Sequence, residues 1–316
     1  MRSSPKTEIL RFTLKQLGYF VAAGEAGSIL KAAENIHVSQ PSISNAIAHL
    51  EDVFQIQLFI RHHAQGMSLT TAGSELMASA KQLLRDAEEL KGLAGKLSEQ
   101  VFGSINIGCF IPLAPIITPE LCHGFMKTHQ GVEVNVSEDD QAGLIGRLKR
   151  GAIDLALTYD LQLDSDIHFK PLAELKPYVL LAADHPLAAR SSIDLASLKD
   201  ERFILLDLPL SDTYFMSLFS AQNLKPSIYA RTRHTEVQRG LVAKGYGFSL
   251  ANVRPLNKKS LDGTDLIYLP LSGSNPSLTL GVATLANIRK TMVVDMFSQF
   301  CSEQISSEKI PGMAAL

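Results

Sequence analysis

The chain has 316 residues, 46% hydrophobic and 20% charged, and its 30 Lys+Arg against 32 Asp+Glu leave a formal charge of −2. This composition excludes wholesale disorder and fibrous repeats, fits about two to three domains, and gives no hint of a nucleic-acid partner, because such domains are often strongly basic. By composition alone the chain reads as a metabolic enzyme. No segment approaches the roughly 20 apolar residues of a membrane span, the first residues do not form an apolar signal core, and Cys109, Cys122 and Cys301 show no CxxC spacing, so a cytoplasmic protein with reduced thiols and no membrane partner is expected.

Residues Phe12 to Phe54 predict three closely spaced helices. Leu14, Leu17, Phe20 and Val21 recur at helical spacing before Gly24 and Gly27, and Ser28 offers a cap to a short helix over Ile29 to Asn35. Ser39 caps the third helix, whose first turn tolerates Pro41 because the amide that proline lacks would be unpaired there. On that helix Ile43, Ile47, Leu50 and Phe54 form one apolar stripe, which leaves Gln40, Ser42, Asn45 and His49 facing outward. Ile56 to Ile60 and Met67 to Thr70 flank the polar run Arg61-His62-His63-Ala64-Gln65-Gly66 and predict a hairpin. From Thr71 to about Gln100 a long helix follows, with an apolar seam of Leu76, Ala80, Leu83, Ala87, Leu90, Ala94 and Leu97 at heptad spacing and charged residues on its other faces, a pattern for pairing with a second helix.

From Gly103 the texture becomes α/β. Strands are expected at Ser104 to Cys109, Val132 to Val136 and Ile153 to Thr158, with helices over Ile116 to His129 and Gln141 to Arg150. A second unit begins near Pro177, with strands at Tyr178 to Ala182, Phe203 to Leu206 and Ile228 to Arg231 and helices over Thr213 to Asn223 and Thr235 to Lys244. Leu278 to Thr284 and a helix over Thr291 to Ser302 return to the first sheet, and the tail Ser306 to Leu316 reads as loose. The alternation predicts mostly parallel sheet.

Three helices followed by a hairpin make a winged helix-turn-helix pattern, whose second helix of the pair enters the major groove. The outward residues of that helix have the chemistry to read bases there. Asn and Gln can bond adenine in a bidentate manner, Ser serves base or phosphate, and Pro touches a thymine methyl. Ser39, Gln40, Pro41, Ser42, Asn45 and His49 are the candidate base and backbone contacts, and Arg61, His62 and His63 the wing contacts. Residues 1–70 carry six Lys+Arg against five Asp+Glu, so a single domain binds DNA weakly and several must act together. The rival reading, a ligand-binding protein whose N-terminal helices serve only to oligomerise, is disfavoured because the outward residues are polar.

The run Gln16-Leu17-Gly18-Tyr19-Phe20-Val21, then Gly27-Ser28, Ala32 to Ser44, Leu50-Glu51, Leu58-Phe59, Arg61 and Leu69-Thr70-Thr71-Ala72-Gly73 resembles the DNA-binding region of LysR-type transcriptional regulators. Looser matches follow at Gly151 to Leu157, Asp184-His185-Pro186-Leu187 and Lys244 to Phe248. The resemblance implies an α+β multidomain chain: a winged helix-turn-helix over 1–70, a linker helix that dimerises over 71–100, and a two-lobed α/β effector-binding domain similar to periplasmic binding proteins over 103–316. Lobe I is expected at about 103–175 and 276–316, lobe II at about 176–275. It also implies a regulator of promoter DNA, a homodimer pairing into a tetramer, contact with RNA polymerase, and a small-molecule effector that changes the packing of lobes and subunits. The chain departs from the family at Asn45 and Ala48, where arginines are common, and at Pro112 and Gln141, where hydroxyl residues often hold an effector carboxylate.

Ligands of two-lobed α/β folds settle at the carboxyl ends of strands, against helix N-termini. Phe110, Ile111, Pro112, Gln141, Tyr159, Leu208, His234 and Thr235 are therefore the expected pocket residues, with His234 and the helix amines favouring an anionic or aromatic metabolite. No cofactor, metal site or catalytic residue is expected. Cys122-His123 with His129, and His62-His63, lack a second cluster to complete a tetrahedral set, and neither GxSxG nor GxxxxGK[ST] occurs. Cys109 reads as a core thiol.

Overall fold

The structure, a computed structural model, describes residues 10–62, 66–95 and 101–314, without the side chains of residues 89–95. It forms two compact units, an N-terminal one and a C-terminal one that begins at Val101. In the first, α1 (Leu14–Ala26), α2 (Ile29–Asn35) and α3 (Gln40–Phe54) precede a hairpin of β1 (Phe59–His62) and β2 (Gly66–Leu69), and α4 (Thr71–Gly95) follows. Each start has a chemical cause. Thr13 and Gln16 form a reciprocal capping box, and the hydroxyls of Ser28 and Ser39 accept from Lys31 and Ser42 amides. Thr70 Oγ1 accepts from the Gly73 amide at 2.9 Å to open α4. Gly73 itself is obligatory, since a Cβ there would collide with the Leu58 carbonyl oxygen.

Leu17, Phe20, Ile43, Ile47, Leu50, Leu58, Phe59 and Met77 fill the core of this unit. The apolar seam of α4 divides. Ala80 is buried in the unit's own core and Leu76 packs on it, whereas Leu83 is 40% exposed. The side chains of Leu90 and Ala94 lie outside those described, and Leu97 outside the described residues. The wing begins three residues later than the sequence pattern suggests, at Phe59, because Gln55 ends α3 in the left-handed region and Glu51 Oε1 then accepts from the amides of Leu58 and Phe59 at 2.8 and 3.3 Å. His62 is consequently a strand residue, paired with Gly66.

In the second unit, lobe I is a five-stranded sheet in the order β4 (Val132–Asp139), β3 (Gly103–Phe110), β5 (Leu155–Tyr159), β12 (Leu278–Leu285), β6 (Ile167–Leu175). The helices α5 (Ala114–Thr128), α6 (Gln141–Lys149) and α9 (Met292–Gln304) belong with it. Lobe II pairs β8 (Arg202–Leu206) with β9 (Ser227–Thr232), and β7 (Tyr178–Ala182) with β10 (Ser249–Ala251) and β11 (Leu266–Pro270). Bonds between Phe248 and the backbone of Arg202 and Ile204, each 2.9 Å, join the two pieces. The resulting order, β9-β8-β10-β7-β11, repeats that of lobe I, a structural repeat with no counterpart in the sequence pattern. Its helices are α7 (Ser211–Ser220) and α8 (Thr235–Ala243).

The expected parallel sheet is corrected to a mixed one. β12 runs antiparallel to β5 and β6, and β7 antiparallel to β10 and β11. These are the strands reached by chain that has crossed between lobes, so no crossover helix imposes a parallel direction on them. The tail is also ordered as far as residue 314: Met313 bridges Pro255, and Ser307 Oγ accepts from the Glu174 amide at 3.1 Å. Glu51→Ala removes the acceptor of two backbone amides and should cost about 1–3 kcal/mol, read as a lower denaturation midpoint of the N-terminal unit.

Candidate DNA-reading surface and inter-lobe cavity

On α3 the buried side chains Ile43, Ala46, Ile47 and Leu50 fix the opposite face as the exposed one. Gln40, Pro41 and Asn45 lie exposed on it, and no side-chain hydrogen bond within the described residues occupies the amides of Gln40 or Asn45. Ala48 and Asp52 share this face, which the outward residues read from sequence did not include. Three expected contacts are engaged elsewhere. The hydroxyls of Ser39 and Ser42 bond each other at 2.8 Å within the cap, and His49 Nε2 lies 2.8 Å from the Arg11 carbonyl oxygen, tying the segment before α1 to the middle of α3. A ring held this way braces the domain. In the wing, Arg61 and His62 are exposed, His62 Nε2 lies 2.8 Å from Ser68 Oγ, and His63 lies outside the described residues.

The second unit holds a cavity of 20 Å³ between its lobes, walled by Phe110, Pro112, Tyr159 and Leu278 from lobe I and by Leu206, Ser211, Phe215, Thr235, Gln238, Ala251, Asn252 and Val253 from lobe II. That volume holds about one water molecule, so a larger ligand enters only as the lobes part. Every parallel strand that supplies a wall residue does so at its carboxyl end: Phe110 ends β3, Tyr159 ends β5 and Leu206 ends β8. Ser211 and Thr235 open α7 and α8. Between the lobes, Arg233 of lobe II bonds Asp140 of lobe I at 2.9 Å. With Arg233 well exposed, this pair contributes under about 1 kcal/mol to closure.

Four of the eight residues expected from sequence, Phe110, Pro112, Tyr159 and Thr235, line the cavity. Gln141 does not. Its Nε2 donates to the Tyr159 carbonyl at 3.1 Å and also to that of Leu161, while its Oε1 accepts from Thr158 Oγ1 at 3.1 Å. It is a buried brace between α6 and the end of β5. Ile111 is half-buried with its amide on the Asp139 carbonyl, Leu208 is packed in the core, and His234 is exposed at the cap of α8.

Gln238 and Asn252 were not anticipated. The Asn252 Nδ2 donates to the Leu175 carbonyl at 2.8 Å and to the Tyr214 hydroxyl at 3.1 Å, and Tyr214 in turn donates to the Pro276 carbonyl at 2.8 Å. Leu175 ends β6 where the chain leaves lobe I, and Pro276 lies on the segment that returns to it, so the Asn252–Tyr214 pair links the two crossings. Gln238 Nε2 donates to Ser249 Oγ and the Leu250 carbonyl. Both amides are thereby oriented with their donors spent, leaving Oδ1 and Oε1 buried without a partner, as is Thr235 Oγ1. Burial pushes the Tyr214 phenol up to about 12 and the Tyr159 phenol well above its usual value, so both stay protonated at neutral pH. The same cause holds the Cys109, Cys122 and Cys301 thiols up, Cys122 to about 11, which leaves little reactive thiolate.

A winged helix-turn-helix joined to a two-lobed cavity of this kind defines a ligand-responsive DNA-binding protein. Residues 14–74 match the family of bacterial regulatory helix-turn-helix proteins of the lysR type, and residues 98–306 match the LysR substrate binding domain. HinK, a LysR family transcriptional regulator from Pseudomonas aeruginosa, is 37% identical over 93% of this chain and 99% of its own, with a TM-score of 0.63. The HTH-type regulator CfxR of Cupriavidus necator is 35% identical over 77% of each chain, and the dual regulator OxyR of Escherichia coli K12 is 29% identical over 85% of this chain and 88% of its own. The chain belongs to the LysR family: it is a DNA-binding transcriptional regulator with an effector-binding domain.

The two classes of α3 side chain separate experimentally. Asn45→Ala should weaken operator binding by about 1–3 kcal/mol and leave the melting temperature unchanged, whereas His49→Ala should lower the melting temperature first. Calorimetry and DNA titration on the same preparations check both.

Proposed function

We propose that the protein is a cytoplasmic, non-enzymatic regulator that binds promoter DNA as dimers paired through α4 and assembled into a tetramer, with its effector in the inter-lobe cavity and RNA polymerase as the partner that responds. The observation that carries the effector's place is that three residues lining one cavity each hold a buried polar atom without a partner among the described residues, because such groups are costly unless something bonds them. The walls bear on the expected anionic or aromatic metabolite. The rings of Phe110, Tyr159 and Phe215 suit an aromatic body, while His234, a group expected to favour an anion, lies outside the cavity. Pairing through α4 is supported by the exposed Leu83 in the middle of that helix, and the target DNA supports the cytoplasm.

The mechanism is a two-state one. An effector that fits one lobe arrangement better shifts the population toward it, and the subunits re-space the DNA-reading helices. Footprinting the full chain on the DNA upstream of its own gene, with and without the small-molecule fraction of a cell extract, should show a shifted or shortened protected region. An identical footprint in the presence of a ligand that demonstrably binds contradicts the reading. Leu83→Asp should yield monomers by sedimentation and weaken operator binding about 100-fold or more, since two linked reading domains gain that much from each other. A dimer that persists would refute pairing through α4.

A further inference from the structure

We propose that the inter-lobe cavity selects an uncharged ligand presenting hydrogen-bond donors, O–H or amide N–H, to Gln238 Oε1 and Asn252 Oδ1, and that Asn252 passes its arrival to the hinge; this rests on the effector reading above. Among the described residues the twelve wall residues include no charged side chain. Arg239 is adjacent in sequence and 3% exposed, but it is not a wall residue: its Nη atoms donate to the Asn257 and Lys259 carbonyls and the Tyr268 hydroxyl, and its Nε lies 3.5 Å from Glu236 Oε1. A carboxylate or an ammonium group entering the cavity would lose its hydration with no charged side chain to pair it; the N-termini of α7 and α8, opened by the wall residues Ser211 and Thr235, offset only part of that cost for the anion.

The polar groups that are present narrow the choice further. Gln238 and Asn252 are 1% and 4% exposed, and their Nε2 and Nδ2 atoms already donate to carbonyls of the fold. Turning either amide over would set oxygen against carbonyl oxygen, so each presents a fixed acceptor. Two fixed acceptors repel a carboxylate and receive donors. The Thr235 hydroxyl, without a partner of its own, can turn to give or accept a bond and completes the set.

The same Asn252 donates on its other side toward Leu175 and, through Tyr214, toward Pro276. A ligand on Oδ1 therefore polarises and positions the amide that ties both crossings between lobes, which couples occupancy to lobe geometry without a charged switch.

The test is a melting series on the full chain with probes of matched shape. Acetamide and benzamide offer uncharged N–H donors, 1,2-ethanediol and catechol offer O–H donors, and acetate and benzoate are the anionic counterparts. The expected result is a rise of about 3 °C or more with an amide or a diol at tenfold excess over its dissociation constant, and none with either carboxylate; which donor set acts distinguishes the two sources. In Thr235→Val, which folds because that hydroxyl has no partner to lose, the affinity for the active probe should fall about tenfold, as for one lost hydrogen bond. A rise with carboxylates alone, or with none of the six probes, or an affinity unchanged in Thr235→Val, overturns the donor assignment. The footprint with extract decides the effector reading separately, so it survives if the extract acts and these donors do not.

Discussion

The hydrogen bonds of Asn252 join the places where the chain passes between its two lobes. One amide donates toward Leu175, at the exit from lobe I, and through the Tyr214 hydroxyl to Pro276, on the return. Most buried polar groups are bonded, and these bonds hold the crossings in one relation. The remaining oxygen of that amide is buried with no partner among the described residues, on a residue that lines the cavity. Binding and hinge geometry thus meet in one residue, and the signal from the effector needs no long path to begin.

Closure is set by several weak contributions rather than one strong one. The cavity admits about one water molecule, its walls are mostly apolar, and the Arg233–Asp140 pair between the lobes is largely exposed on the Arg side. A closed form held in this way opens at little cost, which a regulator requires: the two states must lie within a few kcal/mol for a small ligand to choose between them. The DNA-reading unit follows a similar economy. Its exposed α3 face carries Gln40, Pro41 and Asn45 and no Lys or Arg.

The helix-turn-helix was legible because its causes are local. The Ile43, Ile47, Leu50 stripe and the Ser28 and Ser39 caps are written at fixed spacing, and the structure places them as caps and core. For His49 spacing shows which way a side chain points, whereas its partner, the Arg11 carbonyl, is supplied by folding. In the two-lobed unit, β6, β10 and β11 escaped the pattern: β10 has three residues, and β11 ends on a proline. The cavity was half visible, since strand ends can be found from sequence, and Phe110, Pro112, Tyr159 and Thr235 sit there. Gln238 and Asn252 left a fainter signal, a polar residue on the Val242 face of α8 and another within the apolar run Leu250 to Val253. Their importance comes from contacts distant in sequence, which spacing cannot convey.

The most direct test is the distance between a spin label on lobe I and one on lobe II, measured by pulsed electron resonance on the full chain and on Asn252→Ala. The account predicts one narrow distribution for the native chain, shifted by whichever small molecule alters its footprint, and a broad distribution for the variant that the same molecule leaves unmoved. Matching distributions in the two proteins, moving together with the ligand, would contradict the role of Asn252 as the link between cavity and hinge.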